Sequence, residues 1–219
     1  MKKFFNVLQE SPLFKGIEVN DLESVLNCLS AKEISYNKNA IISIAGDVIQ
    51  NIGVVLTGQV QVVKDDSMGN RTIVASLSSS EIYGEAICCL GDEKSPVTVI
   101  ASENSVILSL DFKRILKVCS NACDFHTKLI ENMLFILASK NVFLQNRMEI
   151  VTNRSIRTKV KLYLESFVRT QGRHIFIPLN REQMAEYLCV DRSALSHELM
   201  KMKKDGLIDY HRNVFKLLK

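Results

Sequence analysis

Between Ile130 and Val151 the apolar residues return every three or four positions: Ile130, Leu134, Leu137, Leu144, Met148 and Val151, with Asn141 at the one place where the series turns polar. Steps of 4, 3, 4, 3, 4, 3 mark one face of a long helix, whereas a strand would alternate with period two. A second stripe, Leu129, Met133, Ile136 and Phe143, lies beside the first. A helix with two apolar stripes needs two partners. One stripe is expected to pack on the rest of the chain. The other (Ile130, Leu134, Leu137, Asn141, Leu144 and Met148) is expected to meet a symmetry mate in a two-fold homodimer, a helix buried inside one monomer being the alternative. Asn141 favours the dimer seam, because a lone polar seam residue fixes register.

Upstream the period changes. Six short β-branched runs span residues 41–44, 53–56, 60–63, 72–77, 97–101 and 105–110. Turn residues separate them at Ala45-Gly46-Asp47, Thr57-Gly58, Ser67-Met68-Gly69-Asn70 and Glu103-Asn104. Evenly spaced short strands of this kind argue for an antiparallel sandwich or roll. A helix is expected before them from Val19 to Leu26, capped near Asn20. Past the long helix, Asn153 to Ser155 breaks the pattern. A helix from Ile156 to Thr170 follows, ended by Gln171-Gly172-Arg173, then a short strand, Ile175-Phe176-Ile177, closed by Pro178. The expected division is residues 1–121, 122–152 and 153–219.

The sharpest motif lies between Asn180 and Ile208. Asn180 can cap a helix from Arg181 to Leu188, with Gln183 in the capping-box position. Cys189-Val190 reads as a tight turn. Asp191 caps a second helix from Arg192 to Lys204, stopped by Asp205-Gly206. Met184, Ala185, Leu188, Val190, Leu195 and Leu199 are spaced to lock the two helices together in a helix-turn-helix. The outward positions of the second helix are then Arg192, Ser193, Ser196, His197 and Lys201. Arg192 can make a bidentate contact to guanine O6/N7 in a major groove, and the two serines and His197 can reach base edges or phosphates. Residues 207–217 read as strand, turn and strand, a wing with Arg212 at its tip; Arg181 and Arg212 complete the expected DNA-binding set.

Charge agrees with this division. Residues 1–145 carry 13 Lys+Arg against 16 Asp+Glu, and residues 146–219 carry 15 against 8, a net −3 followed by a net +7. The positive end is where a polyanion would be met. No apolar run reaches the ~20 residues of a membrane helix, and the Met1-Lys2-Lys3-Phe4-Phe5 start is broken by Asn6, Gln9 and Glu10 before a signal core can form. A cytoplasmic protein is expected. The six cysteines form no CxxC pair, so reduced, mostly buried thiols are expected. Neither GxSxG, HExxH, a P-loop nor a paired His/Asp constellation occurs, so no catalytic residue is assigned and an enzyme is not expected.

The order of roll, long helix and winged helix resembles the Crp/Fnr (catabolite-activator-type) transcription regulators. The matching residues are Ser11-Pro12-Leu13-Phe14, Val55-Leu56-Thr57-Gly58-Gln59-Val60, Tyr83-Gly84-Glu85 and the stretch from Leu179 to Ile208. The resemblance implies an α+β protein: an N-terminal double-stranded β-helix jelly roll, a dimerisation helix and a C-terminal winged helix-turn-helix. It implies a homodimer on palindromic double-stranded DNA, with half-sites one turn apart, acting with RNA polymerase. It also implies that Arg192, Ser193 and His197 hold the base-reading positions. The best-known members have Arg, Glu and Arg there; Ser193 and His197 depart from that, so the operator need not be the usual one.

Cyclic-nucleotide binders of that family use a cassette after Gly-Glu, in which the Glu holds the ribose and an Arg-Ser or Arg-Thr pair holds the phosphate. Here Gly84-Glu85 is followed by Lys94-Ser95-Pro96. Lys lacks the planar fork of Arg, and Pro96 has no N–H to offer an anion. The positions that hold adenine on the long helix fall on Val142 and Phe143, which cannot hydrogen-bond a base. The pocket residues implied are thus Glu85, Lys94, Ser95, Val142 and Phe143. They point to an effector other than cyclic AMP, more apolar in character, or to a pocket that has become packed core. Residues 1–27 contain no cysteine, which argues against an iron–sulfur switch. Haem would need His126, expected at the surface or a helix end, or a cysteine. No metal or cofactor is assigned, and Cys119 and Cys123, at i and i+4, are expected in a core. The competing function is a cyclic-nucleotide-type ligand-binding module acting through protein partners without DNA readout. Its mark would be loss of the polar, basic face of the second helix, which is present.

Overall fold

The computed structural model describes residues 2–66, 68, 71–117 and 124–218. Most of the expected turn at residues 67–70, and both Cys119 and Cys123, lie outside them. The elements run α1 (Phe5–Glu10), α2 (Val19–Cys28), β1 (Lys32–Tyr36), β2 (Ile41–Ser43), β3 (Asn51–Thr57), β4 (Val60–Asp65), β5 (Arg71–Leu77), β6 (Ile82–Tyr83), α3 (Glu85–Cys89), β7 (Thr98–Ala101), β8 (Ser105–Asp111), α4 (Phe112–Leu116), α5 (Asp124–Thr152), α6 (Ile156–Gln171), β9 (His174–Phe176), α7 (Arg181–Leu188), α8 (Arg192–Lys204), β10 (Ile208–His211) and β11 (Val214–Leu217). The chain divides into two compact units, residues 1–139 and 140–219.

The first unit is a jelly roll. Strands pair β1·β8, β2·β7, β3·β6 and β4·β5, all antiparallel, so the chain behaves as one long hairpin wound on itself. The added pairings β3·β8 and β4·β7 complete two four-stranded sheets, β1-β8-β3-β6 and β2-β7-β4-β5. Alternation along β3 shares its side chains between two cores. Ile52, Val54 and Leu56 join a cluster with Leu13, Phe14, Leu22 and Leu26 of the N-terminal helices. Val55 faces the other sheet and packs with Val60, Tyr83, Val99 and Ile107. Leu129, Met133 and Ile136 of α5 enter the first cluster, as the second stripe requires. Phe143, the fourth member of that stripe, is exposed instead.

Two glycines are needed by contact. Gly58 has φ +81°, and a side chain there would run into the Ser105 hydroxyl and the Asn104 carbonyl, because the β7–β8 turn lies directly upon it. That approach lets the Ser105 hydroxyl accept from the Gln59 N–H at 3.2 Å. Gly53 sits opposite Tyr83 in the β3·β6 pair, and the Tyr83 ring occupies the space its side chain would fill.

Strands β1 and β6 were not expected. β1 reads Lys-Glu-Ile-Ser-Tyr, with too little apolar alternation to announce a strand, and β6 has two residues. Helix α2 corrects the proposed cap: it starts at Val19, with Glu18 before it and no side-chain cap, so Asn20 lies inside the first turn. Burial of Ile17 and Leu22 fixes the entry instead.

In the second unit, Ser155 caps α6 by accepting from Thr158 N–H, and Gly172 ends it at φ +70°. β9 pairs with β11 and β11 with β10 in a three-stranded sheet. The core joins Ile150, Val160, Tyr163 and Leu164 to Met184, Leu188, Leu195, Leu199, Ile208 and Phe215.

Candidate nucleic-acid interface

The helix-turn-helix is built from short-range signals. The Asn180 side chain accepts from Gln183 N–H at 2.9 Å, and the Gln183 side chain accepts from Asn180 N–H at 2.9 Å, closing the capping box. α7 ends at Cys189, which takes the left-handed conformation (φ 52°, ψ 57°), and Val190 N–H donates back to the Ala185 carbonyl at 3.0 Å. One anchor comes from elsewhere in the sequence. Lys159 of α6 is buried, and its Nζ donates to the carbonyls of Leu188 at 3.0 Å and Cys189 at 3.3 Å. A cation on the C-terminal carbonyls of α7 satisfies acceptors the helix leaves open and suits its dipole. Lys159 falls on the apolar stripe Ile156, Val160, Tyr163, Leu164 and Phe167, and a lysine on that stripe was the signal that could have found it.

α8 begins at Asp191, whose carboxylate accepts from Ser193 N–H at 2.8 Å, Ala194 N–H at 3.0 Å and the Ser193 hydroxyl. The Ser193 hydroxyl first, then the Ala194 and Ser193 amides, hold the Asp191 carboxyl below its ordinary range. Leu195, Leu199 and Met202 point into the core. The opposite face leaves Arg192, Ser193, His197 and Lys201 exposed and Ser196 half-buried. The Ser196 hydroxyl donates to the Arg192 carbonyl at 2.9 Å. Both serine hydroxyl protons are therefore committed within the helix, and what each still offers is acceptor capacity. Arg192 and Lys201 supply donors on the same surface.

The wing tip is Arg212-Asn213, with Arg212 at φ +52°. Arg181 holds it: one guanidinium nitrogen donates to the Arg212 carbonyl at 2.8 Å, and the group lies over the rings of Tyr210 and Phe215, at 5.1 and 4.9 Å. Arg181 is thus half-buried and occupied with the wing, while the Arg212 side chain is exposed. Lys203 is likewise tied to the wing through Asp209, at 2.6 Å. Arg192, Arg181 and Arg212 border one open cleft of about 810 Å³, with Asn180, His211 and Asn213 on its other walls. Arg157 of α6 steadies α8 from behind, through Glu198 at 2.6 Å and Asp205 at 2.7 Å.

Comparison with protein families matches residues 33–122 to a cyclic nucleotide-binding domain and residues 160–219 to a Crp-like helix-turn-helix domain. The chain belongs to the Crp/Fnr family. Within that family it is a DNA-binding transcription regulator. Curated protein sequences give no match. Among solved structures the chain is similar to the catabolite activator protein of Thermus thermophilus, at 19% identity over 94% of this chain and 93% of that one, with a TM-score of 0.57. It is similar to CprK complexed with OCPA (13%, 90% and 90%, TM-score 0.65) and to FixK2 of Bradyrhizobium japonicum (18%, 86% and 93%, TM-score 0.51). These likenesses carry the same fold.

The Crp/Fnr cassette has a different electrostatic character from α8. Glu85 is buried at the start of α3. The Ser95 hydroxyl donates to the Val97 carbonyl at 2.8 Å, and the Ser95 N–H donates to the Asp47 carbonyl at 2.8 Å. Pro96 has no N–H. Of the groups that could cradle a phosphate, the exposed Lys94 ammonium alone is not engaged in these bonds, so the cassette fits a cyclic phosphate poorly. Val142 and Phe143 are both exposed on α5.

Along the seam of α5, Leu134, Asn141, Leu144 and Met148 are exposed, while Ile130 and Leu137 are half-buried. Phe135, 62% exposed, adds to that apolar surface and was missed in the heptad count. His126 takes the helix-end position of its two expected ones, at the beginning of α5, and not the surface one: it is buried, against Phe125 and with Nε2 3.7 Å from the Cys28 sulfur. No group of three or more His, Cys, Asp or Glu that could hold a metal occurs among the described residues. Among the same residues no helix is long and apolar enough to cross a membrane.

Proposed function

We propose that this chain is a cytoplasmic homodimeric regulator that reads a palindromic double-stranded DNA site with α8 of each protomer. Its β-roll answers a small-molecule effector other than cyclic AMP. Residues 1–121 sense, 122–152 join the protomers and 153–219 bind DNA. One observation carries this reading: with Leu195, Leu199 and Met202 buried, the face of α8 left outside carries Arg192, Ser193, Ser196, His197 and Lys201, with Met200 the one exposed aliphatic among them. Arg192 is the bidentate guanine reader. Ser193 and Ser196 present acceptors suited to the amino groups of adenine or cytosine. Lys201 and Arg212 neutralise phosphates, and Arg181 keeps the wing at the height where Arg212 can do so. RNA polymerase is the protein partner through which a bound dimer acts. The reading requires neither an iron–sulfur cluster nor haem.

A homodimer is supported by the exposed apolar length of α5, where Leu134, Phe135, Leu144 and Met148 are each more than half exposed. Sedimentation should give a dimer, and Asn141→Leu should tighten it while loosening its register. A monomeric parent protein at micromolar concentration removes that part of the reading.

Fluorescence anisotropy with DNA from upstream of the chain's own gene tests the whole. The cognate fragment should bind more tightly than random DNA, and affinity should fall steeply and linearly on a log–log plot against salt. Equal binding to both would favour a ligand-binding module acting through protein partners.

A further inference from the structure

A cavity of about 230 Å³ opens between the two sheets of the roll, in the half bounded by β1, β2, β3 and β8. None of Glu85, Lys94 or Ser95 lines it. Its apolar walls include Ile34, Ile42 and Ile107, and its polar walls include Tyr36, Ser43 and Tyr83. None of the described residues that line it is charged.

Tyr83 is the unusual member. It is 9% exposed, and its ring tip lies over the bare backbone of Gly53, which lines the same cavity. A buried phenol normally finds a hydrogen-bond partner. The Tyr83 hydroxyl makes none to a described residue; it is open to the cavity, where water or a ligand supplies the partner. Burial, followed by the nearby Tyr36, pushes the Tyr83 phenol well above its ordinary value, so at neutral pH it is a neutral hydroxyl with a proton to donate. Covering a strand glycine with an aromatic ring would by itself account for a phenylalanine here. It does not account for a hydroxyl left at the wall of a cavity.

We propose that this inter-sheet cavity binds a small uncharged molecule of single-ring size, held by a hydrogen bond from the Tyr83 hydroxyl to an acceptor oxygen on the ligand. Size sets the upper limit. A dry cavity of about 150 Å³ holds benzene, and drug-sized ligands need roughly 300 Å³ or more. At 230 Å³ this space admits one ring with a short polar substituent and excludes a nucleotide. The missing countercharge disfavours an anion, since a carboxylate would give up part of its hydration without a cation to meet it. The site goes beyond the regulator reading and does not depend on it, because binding is measured on the protein alone.

The test uses the full chain at pH 7 with three probes of similar shape: benzamide, benzoate and toluene. Calorimetry or saturation-transfer NMR should show benzamide binding, toluene binding more weakly for want of an acceptor, and benzoate not binding. Tyr83→Phe keeps the ring over Gly53 and should weaken benzamide by roughly three- to tenfold while leaving toluene unchanged. Ile42→Phe should block both probes by filling the space, with an unaltered circular dichroism spectrum confirming the fold. Equal affinity for benzamide and benzoate, equal affinity of the parent and Tyr83→Phe for benzamide, or no benzamide binding up to its solubility would each overturn the proposal.

Discussion

The reading face of α8 and the cassette after Gly84 are made of the same residue types, a long exposed cation beside serines whose hydroxyl protons are spent within the protein, and what separates them is what each ligand needs. On α8 the core takes Leu195 and Leu199, and the cap takes the amides of Ser193 and Ala194, so the long side chain of Arg192 is left outside. In the cassette the loop itself consumes the donors: Ser95 gives its N–H to Asp47 and its hydroxyl to Val97. A donor already spent within the protein must break a bond before it can meet a ligand acceptor, while the acceptor capacity of the same hydroxyl stays open. Composition therefore says little about recognition until the internal hydrogen bonds have been counted. Base edges bring amino groups to the acceptors left on Ser193 and Ser196, whereas a phosphate brings only acceptors and needs the donors that Ser95 has spent.

The largest effect should come from the anchor that holds the reading face in place. Lys159→Ala leaves the carbonyls of Leu188 and Cys189 without their buried donor and should loosen α7 and α8 by about 3 kcal/mol, which is roughly a hundredfold faster amide exchange in those helices. Lys159→Met, which keeps the stem and loses the ammonium, should cost nearly as much. A methionine variant as protected as the parent would show that packing, not the cation, fixes the turn. Next comes the reading contact itself. Arg192→Ala should cost ~1–3 kcal/mol on the cognate site and relax preference at one base pair. Equal weakening on every sequence would make Arg192 a phosphate contact and erase its contrast with Lys94.

A smaller effect should follow from pH. Because the Asp191 carboxyl titrates lower in the folded chain than in the unfolded one, its contribution is complete above the ordinary carboxylate range and is lost as pH falls through the lowered value. The Ser193 and Ala194 amides, followed by NMR from neutrality to about pH 2, should lose protection in that window. Asp191→Asn keeps an acceptor at the cap and should remove the pH dependence. A variant that titrates as the parent does would place the effect on another group.

What could be read in the sequence was what local geometry decides. Asn180 with Gln183, Asp191 with Ser193, and Gly206 after Asp205 all act within three residues, and each does in the structure what its spacing announces. The heptad on α5 was legible for the same reason. What escaped depends on contacts between distant residues. Asn132 ties α5 to residues 13–15 by donating to the carbonyls of Leu13 at 2.9 Å and Lys15 at 2.8 Å, over more than a hundred residues of chain. The Tyr83 ring over Gly53 requires β3 and β6 to be paired first, and the committed donors of Ser95 require the approach of Asp47. One-turn helices such as α3 and α4 escaped as well, being too short to show a period.

The smallest expected effect is none, and it bears hardest on the contrast between the two regions. Cyclic AMP should change neither the melting temperature nor the DNA affinity of the parent protein. Lys94→Arg should not create a response, although it restores the planar fork, because an anion would still meet a Ser95 whose N–H and hydroxyl are spent and a Pro96 that has no N–H. Adding Pro96→Ala returns one amide to the loop, and that double variant is where a response should first appear. If the parent alone shifts its melting temperature with cyclic AMP, the Ser95 bonds must open at little cost. The cassette would then be a closed form of a working phosphate site, and the difference from α8 would be one of state and not of design.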